Sequence, residues 1–294
     1  MALVPPAKAE APLACSTLTL QQLHTDACDA DIKANPAPEL ERPVQFNSKM
    51  HGVSHPRSVL LPKAPLPYPI GWIVRDWPYS DKPGADPGKV SADSPRMYHK
   101  PALIYIYAIV NVNNIDWYLV GPDRWIPAEY ISLLSIPRRP DGVTGRWIAL
   151  DLSQQTLIAF DGDTPIFATL ISAAHRGNGV TRPGLFHIYA RTRGMIFRGP
   201  PWKAVPDYII DHVPNVMFFD GNIALHGAYW HDKFGIPLTH GCVNVPVGDE
   251  EWLWDWVSET SNLWGPAPGF FFPHPEKAPF VYVYRSSKYS RRQE

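Results

Sequence analysis

The stretch Thr239-His240-Gly241-Cys242-Val243-Asn244 decides how this chain is interpreted, because it sets a cysteine beside a histidine and a glycine. A second histidine, His226, ends the apolar run 223–226 just after the turn residues 220–222. A thiol is a weak nucleophile until it loses its proton, and a nearby imidazole is the commonest acceptor for that proton. Gly241 permits a tight bend beside Cys242, where backbone amides can face a developing oxyanion. The pattern indicates acyl transfer through a thioester.

Two other interpretations of these residues stay open at the level of sequence. A buried cysteine is usually an inert small hydrophobic residue, although flanking histidine and glycine residues are not typical of one. Zinc could be held by four soft ligands, namely His226, His231, His240 and Cys242. Their spacing matches no common paired-ligand pattern, so we expect no metal and no cofactor.

The same residues carry a resemblance to a known family. His226 followed by the stretch 239–244 resembles the signature of the L,D-transpeptidase catalytic domain family (YkuD-type). Residues 147–157 resemble the opening hairpin of that family. Residues 181–184 resemble its Thr-Pro-x-Gly turn, with Arg182 where proline usually stands. The resemblance covers roughly residues 146–284, about half of the chain.

The resemblance implies a role for each residue of the motif. Cys242 matches the acylated nucleophile, and His226 matches the general base. The backbone carbonyl of Gly227 matches the group that orients this base. Four further positions match residues that hold the cysteine loop, shape the pocket and line the substrate site: Thr239, His240, Gly241 and Asn244.

The resemblance also implies an activity. Enzymes of this family attack the stem-peptide carbonyl that precedes D-alanine, release D-alanine, and pass the acyl group to an acceptor amine. We therefore expect a peptidoglycan L,D-transpeptidase that makes 3-3 type cross-links, with peptidoglycan stem peptides and carbapenem-type inhibitors as partners. Water as acceptor would make an L,D-carboxypeptidase, and an amine of an envelope protein would attach that protein to the wall. A non-enzymatic wall-binding protein is the alternative from another class.

The composition bounds the class of protein. A chain of 294 residues with 45% apolar residues can form two domains with separate cores. The net charge is −1 and no long basic patch is present, so we expect no nucleic-acid partner. No stretch approaches the ~18 apolar residues of a membrane span, and we expect none. Frequent prolines and many short β-prone runs predict a mainly β protein.

Cysteine usage indicates an exported protein. The chain has three cysteines, Cys15, Cys28 and Cys242, which is the number expected for one disulfide and one catalytic thiol. We expect a Cys15–Cys28 disulfide and a place in the cell envelope, outside the cytoplasm. The N-terminus has Ala-x-Ala steps without an apolar core before them, so we expect a missing or truncated signal. Three reduced cysteines in a cytosolic protein are the alternative.

We predict four parts along the chain. Residues 1–65 form an extension or linker with a helix near 18–34, and residues 66–140 form a small barrel. Residues 141–285 form the catalytic domain, and residues 286–294 a basic tail. The run Trp-Tyr-Leu-Val-Gly-Pro-Asp-Arg-Trp at 117–125 resembles the Src-homology-3-like domains that accompany bacterial cell-wall enzymes. This barrel is expected to be either a wall-binding module or a purely structural domain.

The predicted catalytic domain is a β-meander with one or two short helices. Strands are expected at 147–152, 156–160, 216–219, 223–226 and 280–284. Asp249 is expected to cap a helix that runs to about Ser258, with its tryptophans facing the core. Residues 261–279 receive no assigned role.

Overall fold

The computed structural model describes residues 26–37, 57–63, 66–98, 100–174, 181–199, 208–260, 263–267, 269–273 and 277–286. These residues form a mainly β protein with two α-helices, which confirms the predicted fold class. Contacts divide the chain into two units, residues 1–38 with 66–131, and residues 39–65 with 132–294. The first strand, β1 (Val59–Leu60), belongs to the second unit, although the sequence places it in a linker.

The first unit consists of short antiparallel strands and one helix. Its elements are α1 (Asp26–Ala34), β2 (Ile70–Ile73), β3 (Trp77–Pro78), β4 (Met97–Tyr98), β5 (Leu103–Tyr105), β6 (Ala108–Val112), β7 (Ile115–Gly121) and β8 (Arg124–Pro127), while β9 (Ile131–Leu133) spans the boundary between the units. Asn113 and Asn114 adopt positive φ angles of 52° and 66° in the predicted turn between β6 and β7. Trp72 and Trp125 are fully buried. The Src-homology-3-like identity of this unit stays a prediction.

The described residues include two of the three cysteines. Cys28 is disulfide-bonded, and Cys242 is a free thiol. Cys15, the predicted partner, lies outside the described residues, as do residues 18–25 of the predicted N-terminal helix. No helix in the part of the chain that the structure describes has both the length and the apolar character needed to cross a membrane.

The second unit has two six-stranded sheets and one helix. Its elements are β1, β10 (Arg146–Asp151), β11 (Thr156–Asp161), β12 (Thr164–Leu170), β13 (Gly184–His187), β14 (Ala190–Gly199), β15 (Tyr208–Asp220), β16 (Ile223–Gly227), β17 (Val243–Val245), α2 (Val247–Thr260), β18 (Leu263–Ala267), β19 (Phe270–Pro273) and β20 (Phe280–Tyr284). One sheet has the order β1-β12-β11-β10-β20-β13. The other has the order β17-β16-β15-β14-β19-β18, and β17 at its edge follows the cysteine directly.

One hydrophobic core joins both sheets to α2. It contains Leu150 from the first sheet, Leu225 and Val243 from the second, and Leu253 and Trp256 from the helix. The spacing of these helical residues puts them on one face, as the sequence predicts. Burying side chains of this size stabilises the fold by roughly 1.5–3 kcal/mol each.

Two features of this unit differ from the sequence-based expectation. The helix α2 begins at Val247, so Asp249 lies inside its first turn and does not cap it. The Asp249 carboxylate is buried and accepts hydrogen bonds from the Arg57 backbone N–H (2.7 Å) and from Thr169 Oγ1 (2.6 Å). Residues 261–279, which received no role, contain the β18–β19 hairpin, and β19 extends the second sheet by pairing with β14.

Candidate active site

Strand pairing brings the cysteine loop to His226. The parallel strands β16 and β17 pair Leu225 with Val243 and His226 with Asn244. Cys242 precedes this pairing by one residue and therefore lies opposite Ala224, whose backbone forms a hydrogen bond with its sulfur. Because side chains alternate along a strand, Ala224 and His226 share a face. The register places the Cys242 side chain on that face as well.

The His226 imidazole is buried, with 2% of its surface exposed. Its Nδ1 lies 3.1 Å from the carbonyl oxygen of Gly227, which can only accept a hydrogen bond. The proton therefore sits on Nδ1, and Nε2 is free to take a proton. Burial lowers the pKa of His226 to about 4, against a smaller rise from the Gly227 hydrogen bond and with a further lowering by His231. The ring is neutral at neutral pH.

Aromatic side chains surround this imidazole. Phe197 of β14 meets the His226 ring edge-on at 4.9 Å between centroids, and Trp230 lies at 5.8 Å. Both also pack in the small cluster that includes Ala224 and Cys242. These rings exclude water and account for the lowered pKa. No sequence motif pointed to Phe197 or Trp230, because strand pairing and the loop fold bring them to the site.

Intramolecular hydrogen bonds fix the cysteine loop. Thr239 Oγ1 donates to the carbonyl oxygen of Cys242 at 2.6 Å and accepts the N–H of Gly241 at 3.3 Å. Gly241 has a φ of 140°, a conformation that favours glycine. Its carbonyl accepts a hydrogen bond of 2.7 Å from the buried Thr181, in the turn that departs from the family pattern. The Gly241 amide is thus engaged with the Thr239 hydroxyl.

Asn244 is held on three sides. Its backbone exchanges two hydrogen bonds with Ser172, of 2.8 and 2.9 Å. Its side-chain nitrogen Nδ2 lies 2.8 Å from Nε2 of His231. An amide nitrogen can only donate, so Nε2 of His231 accepts this hydrogen bond. Asn244 is 5% exposed, and hydrogen bonds inside the protein occupy its backbone groups and its side-chain nitrogen.

His240 packs against an aromatic side chain of β15. Its exposed ring stacks on Tyr208 of β15 with 5.7 Å between centroids. The pKa of Tyr208 is raised by burial and by the nearby Cys242, which puts this pair close to the cysteine. Within the described ranges, no group of three or more His, Cys, Asp or Glu residues is arranged to hold a metal ion. The four-ligand zinc interpretation therefore has no matching cluster there.

The chemistry of the arrangement follows from the two pKa shifts. Burial raises the pKa of the Cys242 thiol, while the Ala224 hydrogen bond lowers it in part. The thiol is therefore protonated at neutral pH, and it becomes a strong nucleophile only by giving up its proton. A neutral imidazole with a free Nε2 can accept that proton.

Comparison with known proteins gives one family match. Residues 145–267 match the L,D-transpeptidase catalytic domain (YkuD). No curated protein matches the chain significantly. Among solved structures, the chain is similar to the catalytic domain of an Enterococcus faecium L,D-transpeptidase, with 20% identity over 49% of this chain and 99% of that one and a TM-score of 0.37.

Two further solved structures are also similar to the chain. The E. faecium catalytic domain acylated by ertapenem is 20% identical over 48% of this chain and 98% of that one, with a TM-score of 0.37. An L,D-transpeptidase from Mycobacterium tuberculosis H37Rv is 15% identical over 60% of this chain and 67% of that one, with a TM-score of 0.35.

Proposed function

We propose that this protein is a peptidoglycan L,D-transpeptidase whose nucleophile is Cys242, because residues 145–267 match the L,D-transpeptidase catalytic domain (YkuD). The observation that carries the proposal is the pairing of β16 with β17, which sets a free thiol beside a buried, neutral imidazole. Acyl transfer through a thioester needs a nucleophile, a base and a group that orients the base. Cys242, His226 and the Gly227 carbonyl fill these roles.

The first half-reaction forms the thioester. Cys242 Sγ gives its proton to Nε2 of His226 and attacks the stem-peptide carbonyl that precedes D-alanine. When the tetrahedral adduct collapses, the peptide C–N bond breaks and Nε2 returns the proton to the leaving amine. D-alanine departs, and the stem peptide stays bound to Sγ. The hydrogen bond to Gly227 keeps the ring in one tautomer during both proton transfers.

The second half-reaction resolves the thioester. The side-chain amine of a second stem peptide attacks the same carbonyl and gives a proton to His226. Sγ leaves as a thiolate and recovers the proton, and the new amide joins two diamino acid residues in a 3-3 type cross-link. Water in place of the amine would release a shortened peptide, and an amine of an envelope protein would become attached to the wall.

The remaining motif residues shape the pocket in this proposal. Thr239 and Gly241 hold the loop that presents the thiol, and Asn244 holds the strand beside His226. His240 and the Tyr208 ring stacked on it border the cysteine. We place the protein in the cell envelope, where its substrate is, and we propose carbapenems as inhibitors because a related catalytic domain is acylated by ertapenem.

The proposal is tested by incubating the full chain with a purified disaccharide-tetrapeptide and following products by liquid chromatography and mass spectrometry. We expect release of D-alanine together with a cross-linked dimer, and neither product with Cys242→Ala. Release of D-alanine with tripeptide alone would indicate a carboxypeptidase. Absence of both D-alanine release and a protein-bound acyl group in the wild type would favour the non-enzymatic alternative.

A further inference from the structure

Arg57 lies far upstream of the matched segment 145–267, yet it is buried in the catalytic unit with 5% of its surface exposed. Its backbone N–H donates to Asp249 in the first turn of α2 at 2.7 Å. Two residues later, Val59 begins the strand β1, which pairs with β12. The backbone around Arg57 is therefore anchored to both the helix and the first sheet.

The Arg57 side chain reaches the loop between the two proposed catalytic residues. Its Nη2 lies 2.7 Å from Oδ2 of Asp232, in the segment 228–242 that joins β16 to β17. The Asp232 side chain is 35% exposed, so the pair lies where the loop meets the protein interior. Removal of the carboxylate takes an ion-pair partner from a buried guanidinium, and the loop would have to rearrange around the change.

The residue next to Asp232 links the loop to the site. His231 contacts the side-chain amide of Asn244 at 2.8 Å, and Asn244 is the strand partner of His226. The contacts thus run from Arg57 to Asp232, along one peptide unit to His231, and across to the strand that follows Cys242. Each step is a hydrogen bond, an ion pair or a covalent link between described residues.

We infer that Arg57 is a positioning residue for the acyl transfer, holding the 228–242 loop through Asp232 so that His231 stays against Asn244 beside His226. This inference rests on the proposed function of the site. It places a necessary part of the active unit in a proline-rich segment outside the matched domain. In this role Arg57 acts through the loop and not as a catalytic residue.

The rate of Cys242 acylation by ertapenem, followed by intact mass on the full chain, tests this role. Arg57→Met and Asp232→Asn should each slow acylation by about tenfold or more, since small misplacements of a site cost rates of that order. The double variant should be no slower than the slower single variant, because both remove one interaction. Arg57→Lys keeps the charge and should recover most of the rate.

Arg146→Met is the matched control. Arg146 is a mostly buried arginine in the same unit, and it pairs with Glu259 at 2.9 Å and donates to the carbonyl oxygen of Trp256 at 2.6 Å. Its bonds go to the end of α2 and not to the loop. We expect Arg146→Met to be acylated at a rate within about twofold of wild type, even where the variant is less stable. A loss equal to that of Arg57→Met would overturn the inference, since any lost ion pair would then suffice.

The His231 ring gives a readout that a purely structural role would not produce. Burial lowers the pKa of His231, and of the charged groups beside it Asp232 raises this pKa and Lys233 lowers it, while His231 in turn lowers the pKa of His226. Asp232→Asn should lower the His231 pKa, and Arg57→Met should raise it by removing a positive charge from beside Asp232. A titration of the imidazole signals by nuclear magnetic resonance should show these opposite shifts.

The outcomes separate the two proposals. If the wild type is acylated and Asp232→Asn, a half-exposed and isosteric change, is acylated equally fast, the role of Arg57 is refuted while the proposed function stands. If the wild type takes up no ertapenem and releases no D-alanine from the disaccharide-tetrapeptide, the proposed function fails. In that case the opposite His231 shifts would still support the link from Arg57 to the site, and unchanged shifts would overturn it.

Discussion

Nδ1 of His226 lies 3.1 Å from the carbonyl oxygen of Gly227, the next residue along the same strand. The main chain of β16 therefore orients the ring and fixes its tautomer, and a change in the path of this strand also turns the base. Gly227 packs tightly, because an added Cβ would lie 2.8 Å from Cγ of Pro214 and 3.5 Å from Cγ2 of Val247.

The first prediction concerns this close packing. Gly227→Ala should destabilise the protein by roughly 1–3 kcal/mol, as overpacked sites do, and should slow acylation by moving the orienting carbonyl. Gly194→Ala is the control, since a Cβ at Gly194 in β14 meets nothing within 4 Å. Thermal unfolding and acylation rates check both variants. Equal behaviour of the two variants would show that the Gly227 contact does not position the base.

The pKa of His226 predicts how stability depends on pH. The pKa of His226 is about 4 in the folded protein and 6.5 for an ordinary histidine. Below pH 6.5 the unfolded chain therefore binds a proton at this residue that the folded protein does not bind. The free energy of unfolding should fall by up to about 3 kcal/mol between pH 6.5 and 4 through this group. His226→Gln should lack this part of the slope. Denaturant unfolding of wild type and His226→Gln at several pH values measures this slope. If the free energy of unfolding depends on pH equally in both proteins, the lowered pKa of His226 is contradicted.

Asp249 should act in the opposite direction. Burial raises its pKa to about 6 from 3.8, so the folded protein keeps a proton that the unfolded chain has released. The stabilisation that the protonated Asp249 carboxyl gives the folded state is fully present below pH 3.8 and is lost as the pH rises through 6. The free energy of unfolding changes by up to about 3 kcal/mol through this group. Asp249→Asn should therefore gain stability relative to wild type as the pH rises from 4 to 7. If the stability difference between Asp249→Asn and wild type stays constant from pH 4 to 7, the raised pKa of Asp249 is refuted.

Thr239 is predicted to position the nucleophile through the two hydrogen bonds that it makes within the cysteine loop. Thr239→Val removes the hydrogen bonds to the Cys242 carbonyl and from the Gly241 amide, at a cost of about 1 kcal/mol each. Displacement of the thiol should slow acylation by about tenfold or more. Thr239→Ser keeps the hydroxyl and should restore the rate. If the serine variant is as slow as the valine variant, the hydroxyl is not what positions the loop.

Local patterns explain which parts of the fold could be predicted from the sequence. The β10–β11 hairpin and the strand β20 were predicted because apolar runs end at turn residues there. The turn at 220–222 likewise delivers His226 at the end of β16, as expected. Asp249 misled the prediction because a carboxylate near a helix start is typical of a cap, and here the core takes it instead.

The surroundings of the site could not be predicted, because they depend on contacts between distant segments. Phe197 meets His226 only after β14 pairs with β15, and Ser172 meets Asn244 across an isolated bridge. No periodicity or motif marks either residue. Arg57 stands in a proline-rich stretch that resembles a linker, and its contacts with Asp232 and Asp249 show that it belongs to the catalytic unit.

The most direct test of the central claim is the site of acylation by ertapenem, followed by intact mass and peptide mapping. The wild type should gain the mass of one ertapenem on Cys242, and Cys242→Ala should gain none. His226→Ala should react ~10²–10⁴-fold more slowly near neutral pH and recover in part at higher pH, as the thiol ionises unaided. His240→Ala should be impaired with less recovery. Stronger recovery in His240→Ala than in His226→Ala would assign the base to the other histidine, and acylation of Cys242→Ala would contradict the nucleophile and the enzymatic mechanism with it.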